Sequence, residues 1–110
     1  MKIIIYKTYS PSSYHIHAGV DSTIIHVVDL NVYLYKEYMG SFSGADYGVV
    51  TNQTYIDILS GISINYEGIT FKKVKELDID DDTIRGLVSK AKLYDILKDD
   101  VKNGIDKLID

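Results

Sequence analysis

The sequence predicts an α+β fold, an antiparallel sheet of about five to six strands with C-terminal helices packed on one face. Three observations carry this expectation. Short runs rich in Ile, Val and Tyr, punctuated by Gly, Pro, Ser and Asn, fill residues 2–74. From Asp80 onward the apolar residues recur at helical spacing. Charge divides at the same place: residues 1–75 carry six Lys against six Asp/Glu, and residues 76–110 carry six Lys/Arg against ten Asp/Glu. The whole net charge of −4 therefore belongs to the helical end. At 110 residues the chain reads as a single domain, 1–110, long enough to bury a core. Residues 1–75 are mainly β, with a short helix at 52–60, and 80–110 form an acidic helical tail.

Residues 2–9 are β-branched and aromatic on both faces, Ile3/Ile5/Tyr9 and Ile4/Tyr6/Thr8, as a central strand covered on both sides requires. Ser10-Pro11-Ser12-Ser13 breaks the run. Residues 14–18 and 23–30 read as a hairpin around Gly19-Val20-Asp21-Ser22. Residues 31–39, with Val32, Tyr33, Leu34, Tyr35 and Tyr38, are a further strand, continuing the previous one through a bulge or bend at 29–31. Gly40 to Gly48 has the composition of a loop. Over 52–60, Asn52 as N-cap and Gly61 after the last turn favour a helix over a strand.

Residues 62–66 and 69–74 flank Glu67-Gly68 as a second hairpin. Asp80, Asp81 and Asp82 then cap a helix with Ile84, Leu87, Val88, Ala91, Tyr94 and Leu97 on one stripe. Carboxylates are favoured at that positive helix end. Val101, Ile105, Leu108 and Ile109 continue the pattern past Asn103-Gly104, as a second short helix or an extension.

Composition excludes several classes of function. Without cysteine there are no disulfides and no thiolate metal or redox sites. No apolar run approaches the roughly 20 residues that span a bilayer. The start, Met1-Lys2-Ile3-Ile4-Ile5-Tyr6-Lys7, reads as a strand and not as a signal peptide, so a cytoplasmic protein is expected. One arginine, Arg85, and a net charge of −4 argue against direct nucleic-acid binding.

Candidate sites follow from residue pattern. His15, His17 and His26 would share one face of the first hairpin, where three imidazoles suit a zinc ion with an open fourth position. Asp29 or Asp21 would supply the outer-shell acceptor. The competing account is a solvent-facing polar stripe, and no metal or other cofactor is assigned. Asp78, Asp80 and Asp82 start like a calcium loop, but Thr83 and Ser89 replace the required Gly and Glu. Gly40, Gly44 and Gly48 lack the lysine of a phosphate loop.

Two features point to a protein partner. Ten tyrosines, Tyr33 and Tyr35 among them, offer large contact area at small entropic cost, although strand positions also favour tyrosine. Asp78, Asp80, Asp81, Asp82, Asp95, Asp99, Asp100, Asp106 and Asp110 lie along the helical end, where spaced carboxylates can occupy a basic groove, with Asp78, Asp80, Asp81, Asp82, Asp99 and Asp100 the expected contacts. Interspersed lysines dilute that field.

The expectation is a non-catalytic acidic protein-binding module whose partner is a host protein with a basic surface. Its size, its acidity and its lean to Ile, Lys, Asp, Tyr and Ser, the residue usage of an AT-rich coding source, resemble those of small phage- or virus-encoded inhibitors of host defence or nucleic-acid-handling proteins, which implies a nucleic-acid mimic in the host cytoplasm. The alternatives are a small zinc-dependent enzyme or metal-binding domain on the three-histidine face, and a homodimer formed through strand edges or the stripe at 101–109.

Overall fold

In the computed structural model, which describes residues 1–10, 20–38, 45–60, 62–66 and 68–110, the chain runs β1 (Lys2–Ser10), β2 (Val20–Val27), β3 (Val32–Tyr38), β4 (Ala45–Val49), β5 (Ile56–Ile58), β6 (Ser63–Tyr66), β7 (Ile69–Asp78), α1 (Asp81–Ala91) and α2 (Lys98–Ile109). The strands form one sheet in the order β4-β3-β2-β1-β7-β6-β5, every neighbouring pair antiparallel. The α+β class holds, with seven strands in place of five to six.

The sheet is curled, and its connectivity requires this. β4 and β5 are its two edges, yet only residues 50–55 join them. Six strand spacings in a flat sheet would part the edges by about 29 Å. Seven Cα steps from Val49 to Ile56 reach about 24 Å fully extended, and a 3-10 turn at Gln53–Tyr55 shortens that reach. Side chains of β2 and β3 therefore face those of β6 and β7 across a concave side. Tyr6, Ile24, Tyr33, Val50, Ile64 and Phe71 are buried there. On the convex side Ile3, Ile5, Ile25, Val27 and Leu34 pack under the two helices. Alternation along β1 feeds both layers, which explains why apolar residues occupy both of its faces.

The first hairpin is corrected. β2 pairs with β1 along one edge, Ile3 opposite Val27 and Ile5 opposite Ile25. Its other edge pairs with β3, Ile25 opposite Leu34. Both edges of residues 23–27 are taken, and Val20, Asp21 and Ser22 belong to the strand instead of a turn. Residues 14–18, and Pro11 to Ser13 before them, lie outside the described residues. β3 also does not continue β2. A 3-10 turn at Val28–Leu30 and Asn31 at φ 50° reverse the chain.

The helix expected over 52–60 is replaced by the turn at Gln53–Tyr55 and by β5. Asn52 makes no side-chain cap bond to the backbone; its Oδ1 accepts from the Thr54 hydroxyl. Ile56 and Ile58 then pair with Tyr66 and Ile64, as β-branched residues favour. Gly61 lies outside the described residues. The end of the expected glycine loop is β4. A Cβ at Gly48 would come 3.2 Å from the Tyr35 ring, so this glycine marks a close approach inside a strand. Gly40 and Gly44 lie outside the described residues.

The second hairpin is as expected: Tyr66 pairs with Ile69, and Gly68 takes φ 81°. Glu67 is outside the described residues. β7 runs on to Asp78, so part of the acidic run is strand. Asp80 caps α1, accepting from the Thr83 backbone N–H at 3.1 Å and from its hydroxyl at 3.2 Å. Ile84, Leu87, Val88 and Ala91 are buried as predicted, but α1 ends at Ala91 and a turn carries Tyr94. The last segment is a second helix. Val101, Ile105 and Leu108 are buried within the chain, so this stripe does not form a free dimer surface.

Candidate functional site: carboxylates and tyrosines around the edge strand

The acidic residues divide into two groups. Asp78, Asp80, Asp81 and Asp82 gather where β7 meets α1, and three of them already have local roles. The Met1 amine lies 3.0 Å from Asp81 and 3.4 Å from Asp78. Asp80 is the cap of α1. Asp82 is exposed and lines the groove between the helices together with Lys90, Asp100 and Lys107, so the charges there are mixed. Asp99 and Asp100 are exposed in the first turn of α2, beyond the other end of α1. The eleven residues of α1 span about 16 Å, and Asp82 and Asp100 both line the groove between the helices.

Tyr33 and Tyr35 separate in the same way. Tyr33 is buried in the concave core, its ring stacked on His26 at 4.2 Å. Tyr35 is half-buried and donates from its hydroxyl to Asp46 Oδ2 at 3.3 Å. Burial first, then the Asp46 carboxylate, pushes the Tyr35 pKa up to about 12. The phenol therefore stays protonated and continues to donate.

Beyond Asp46, a cleft of about 560 Å³ runs around β4 to the turn after α1, between Tyr35, Asp46 and Gly48 on one side and Tyr94, Asp95 and Lys92 on the other. The Tyr94 ring lies 6.0 Å from that of Tyr47. Burial, then the fields of Asp46, Asp95 and Asp99, raise the Tyr94 pKa. Sequence reasoning named Tyr35, Asp95 and Asp99 as contact residues but not Asp46 or Tyr94. Asp46 lay in what read as a loop, and Tyr94 in what read as a helix stripe. Only the packing of α1 beside β4 brings them together.

Of the three histidines, only His26 lies among the described residues. His26 lies across from Ile4 and Tyr33 and shares a 3.4 Å contact from Nε2 to Asn31 Oδ1. Burial lowers its pKa, against the Asn31 bond. His15 and His17 lie outside the described residues. Among the described residues, no group of three His, Cys, Asp or Glu is placed to hold a metal ion. Among them, too, no helix is long and apolar enough to cross a membrane.

Chemically, aromatic faces beside carboxylates suit a cation, which gains from the ring quadrupole and from charge-assisted hydrogen bonds. No protein family, curated protein or solved structure matches this chain.

Proposed function

We propose that this chain is a non-catalytic protein-binding module whose partner presents a basic surface. The observation that supports it most is the cleft beside β4, where Asp46 and Asp95 stand with Tyr35 and Tyr94. Exposed Asp99 and Asp100 follow directly at the start of α2. A lysine or arginine of a partner entering there meets rings and carboxylates together, and the carboxylates steer its approach. The setting that fits the sequence is a phage- or virus-encoded inhibitor of a host defence or nucleic-acid-handling protein.

The test is a pull-down of the tagged chain from host lysate, with and without nuclease, followed by charge reversal. One stoichiometric partner that survives nuclease is expected. Asp95→Lys with Asp99→Lys should weaken its capture at least tenfold, and capture should weaken as salt rises. Asp80 and Asp81 are unsuitable positions, because they cap the helix and pair with the amine. Salt-insensitive capture that tolerates both reversals would remove the cleft from the account.

A further inference from the structure

The curl of the sheet leaves a second cavity, of about 330 Å³, on the concave side. Its walls come from distant strands. Ile24 and Tyr35 stand on β2 and β3, Val50 follows β4, and Tyr66 and Phe71 face them from β6 and β7. All five are members or neighbours of the buried concave cluster, and Tyr35 is also held by Gly48 beneath its ring and Asp46 at its hydroxyl. A volume of this size lies at the lower end of small-ligand pockets, which favour the mouths of barrel-like sheets.

One charged side chain stands at the rim. Glu37 follows Tyr35 by two residues and so shares its face. Lys36 also borders the cavity, but its ammonium is on the opposite face, 2.8 Å from Asp106. Glu37 has no ion pair among the described residues, and it sits directly opposite Asp46 in the β3–β4 register. Like charges in that position repel each other. A cation at the rim would relieve this, while an apolar body filled the space between Tyr35, Tyr66 and Phe71.

We propose that this cavity is a binding site for a small organic ammonium ion with a compact aromatic or aliphatic body. The body lies between the two halves of the curled sheet and the ammonium meets the Glu37 carboxylate. The site is separate from the cleft proposed for a protein partner and does not depend on that reading.

The experiment is an amide NMR titration of the full chain with 2-phenylethylammonium, beside its matched anion 3-phenylpropionate. Saturable shifts at Ile24, Tyr66 and Phe71 are expected for the ammonium, with weaker binding of the anion. Glu37→Gln should weaken the ammonium about three- to fivefold, the range of a solvent-accessible ion pair. Ile69→Trp changes a rim residue that is 46% exposed, so the fold tolerates it, and the indole should block the cavity and abolish the shifts. The proposal is overturned by no saturable shift at millimolar probe, by equal binding of the anion, or by shifts that persist unchanged in the folded Ile69→Trp chain. Shifts confined to Tyr94 and Asp95 would also overturn it, and would locate the cation in the other cleft.

Discussion

The ammonium of Lys36 on β3 lies 2.8 Å from a carboxylate oxygen of Asp106 on α2, and the Tyr47 hydroxyl donates to the same carboxylate at 2.9 Å. Three elements therefore meet at one charge. The Lys36 and Asp106 side chains are only 17% and 27% exposed, so water screens them incompletely. Burial acts to lower the Lys36 pKa, but hydrogen bonds to Asp106 and Tyr47 prevail and raise it. Asp106→Ala removes the acceptor from a lysine and a tyrosine at once and should destabilise the fold by about 2 kcal/mol. Pairing it with Lys36→Met should recover much of that loss, because the buried charge goes as well. Urea midpoints of the two single variants and the double variant check this. Additive losses would show that the pair is not coupled.

The two helix glycines should respond in opposite directions to alanine. Nothing lies within 4 Å of a Cβ built on Gly86, whereas one built on Gly104 comes 2.6 Å from Leu87 Cδ1. Gly86→Ala then gains only helix propensity and should stabilise by about 0.5–1 kcal/mol. Gly104→Ala has the same gain, but displaces Leu87 from a packed helix pair at a cost of about 1–3 kcal/mol. The net result should be a loss. In a Leu87→Ala background the loss should turn into a gain, and thermal unfolding of the four chains measures it. A stabilising Gly104→Ala in the parent chain would show that the helices separate at no cost.

His26 gives a pH response with a definite sign. Burial holds its folded pKa below 6.5, so on acidification the unfolded chain takes up the proton first. The stability contributed by the neutral ring is present above 6.5 and is lost as pH falls through 6.5 toward the folded value. His26→Phe keeps a ring over Tyr33 and should flatten the stability profile as pH falls through 6.5. An imidazole titration by NMR that places His26 above 6.5 would refute the assignment.

How much of this was legible in sequence depended on how local the determining contact was. β1, the β6–β7 hairpin and α1 were readable, since each rests on its own periodicity or turn: apolar residues on both faces, Gly68 at positive φ, Ile84 to Ala91 at helical spacing. The turn expected at 19–22 was misplaced, since Val20 to Ser22 are strand, because strand pairing is not a local property. β2 pairs with β1 and β3, although residues 14–18 are nearer in sequence than β1. β4 and β5 were missed because three to five residues hold too little pattern, and Gly48 signalled a loop when it serves the Tyr35 ring. The acidic run was visible, but its uses were not. Asp80 is a cap, Asp81 and Asp78 hold the Met1 amine, and the carboxylates that share a cleft with Tyr35 and Tyr94 are those of Asp46 and Asp95.

Glu76 supplies the second acid-sensitive contact, in a lower pH window than His26. On β7 it lies between two lysines, 2.5 Å from Lys2 and 2.6 Å from Lys73. These bonds, Lys2 first and Lys73 second, take its pKa from the ordinary 4.5 to about 2. A depressed carboxylate contributes its stability above the unfolded pKa and loses it as pH falls through the folded one, so this contribution fades from 4.5 toward 2. The site is open to solvent, and salt should reduce the effect. Glu76→Gln keeps the shape of the side chain and removes the charge. It should lower stability at neutral pH and flatten the acid limb of the profile between those two values, leaving the His26 step near neutrality in place. Urea unfolding of both chains across that range decides it. If the Gln variant loses stability on acidification as steeply as the parent, then other carboxylates govern the acid limb.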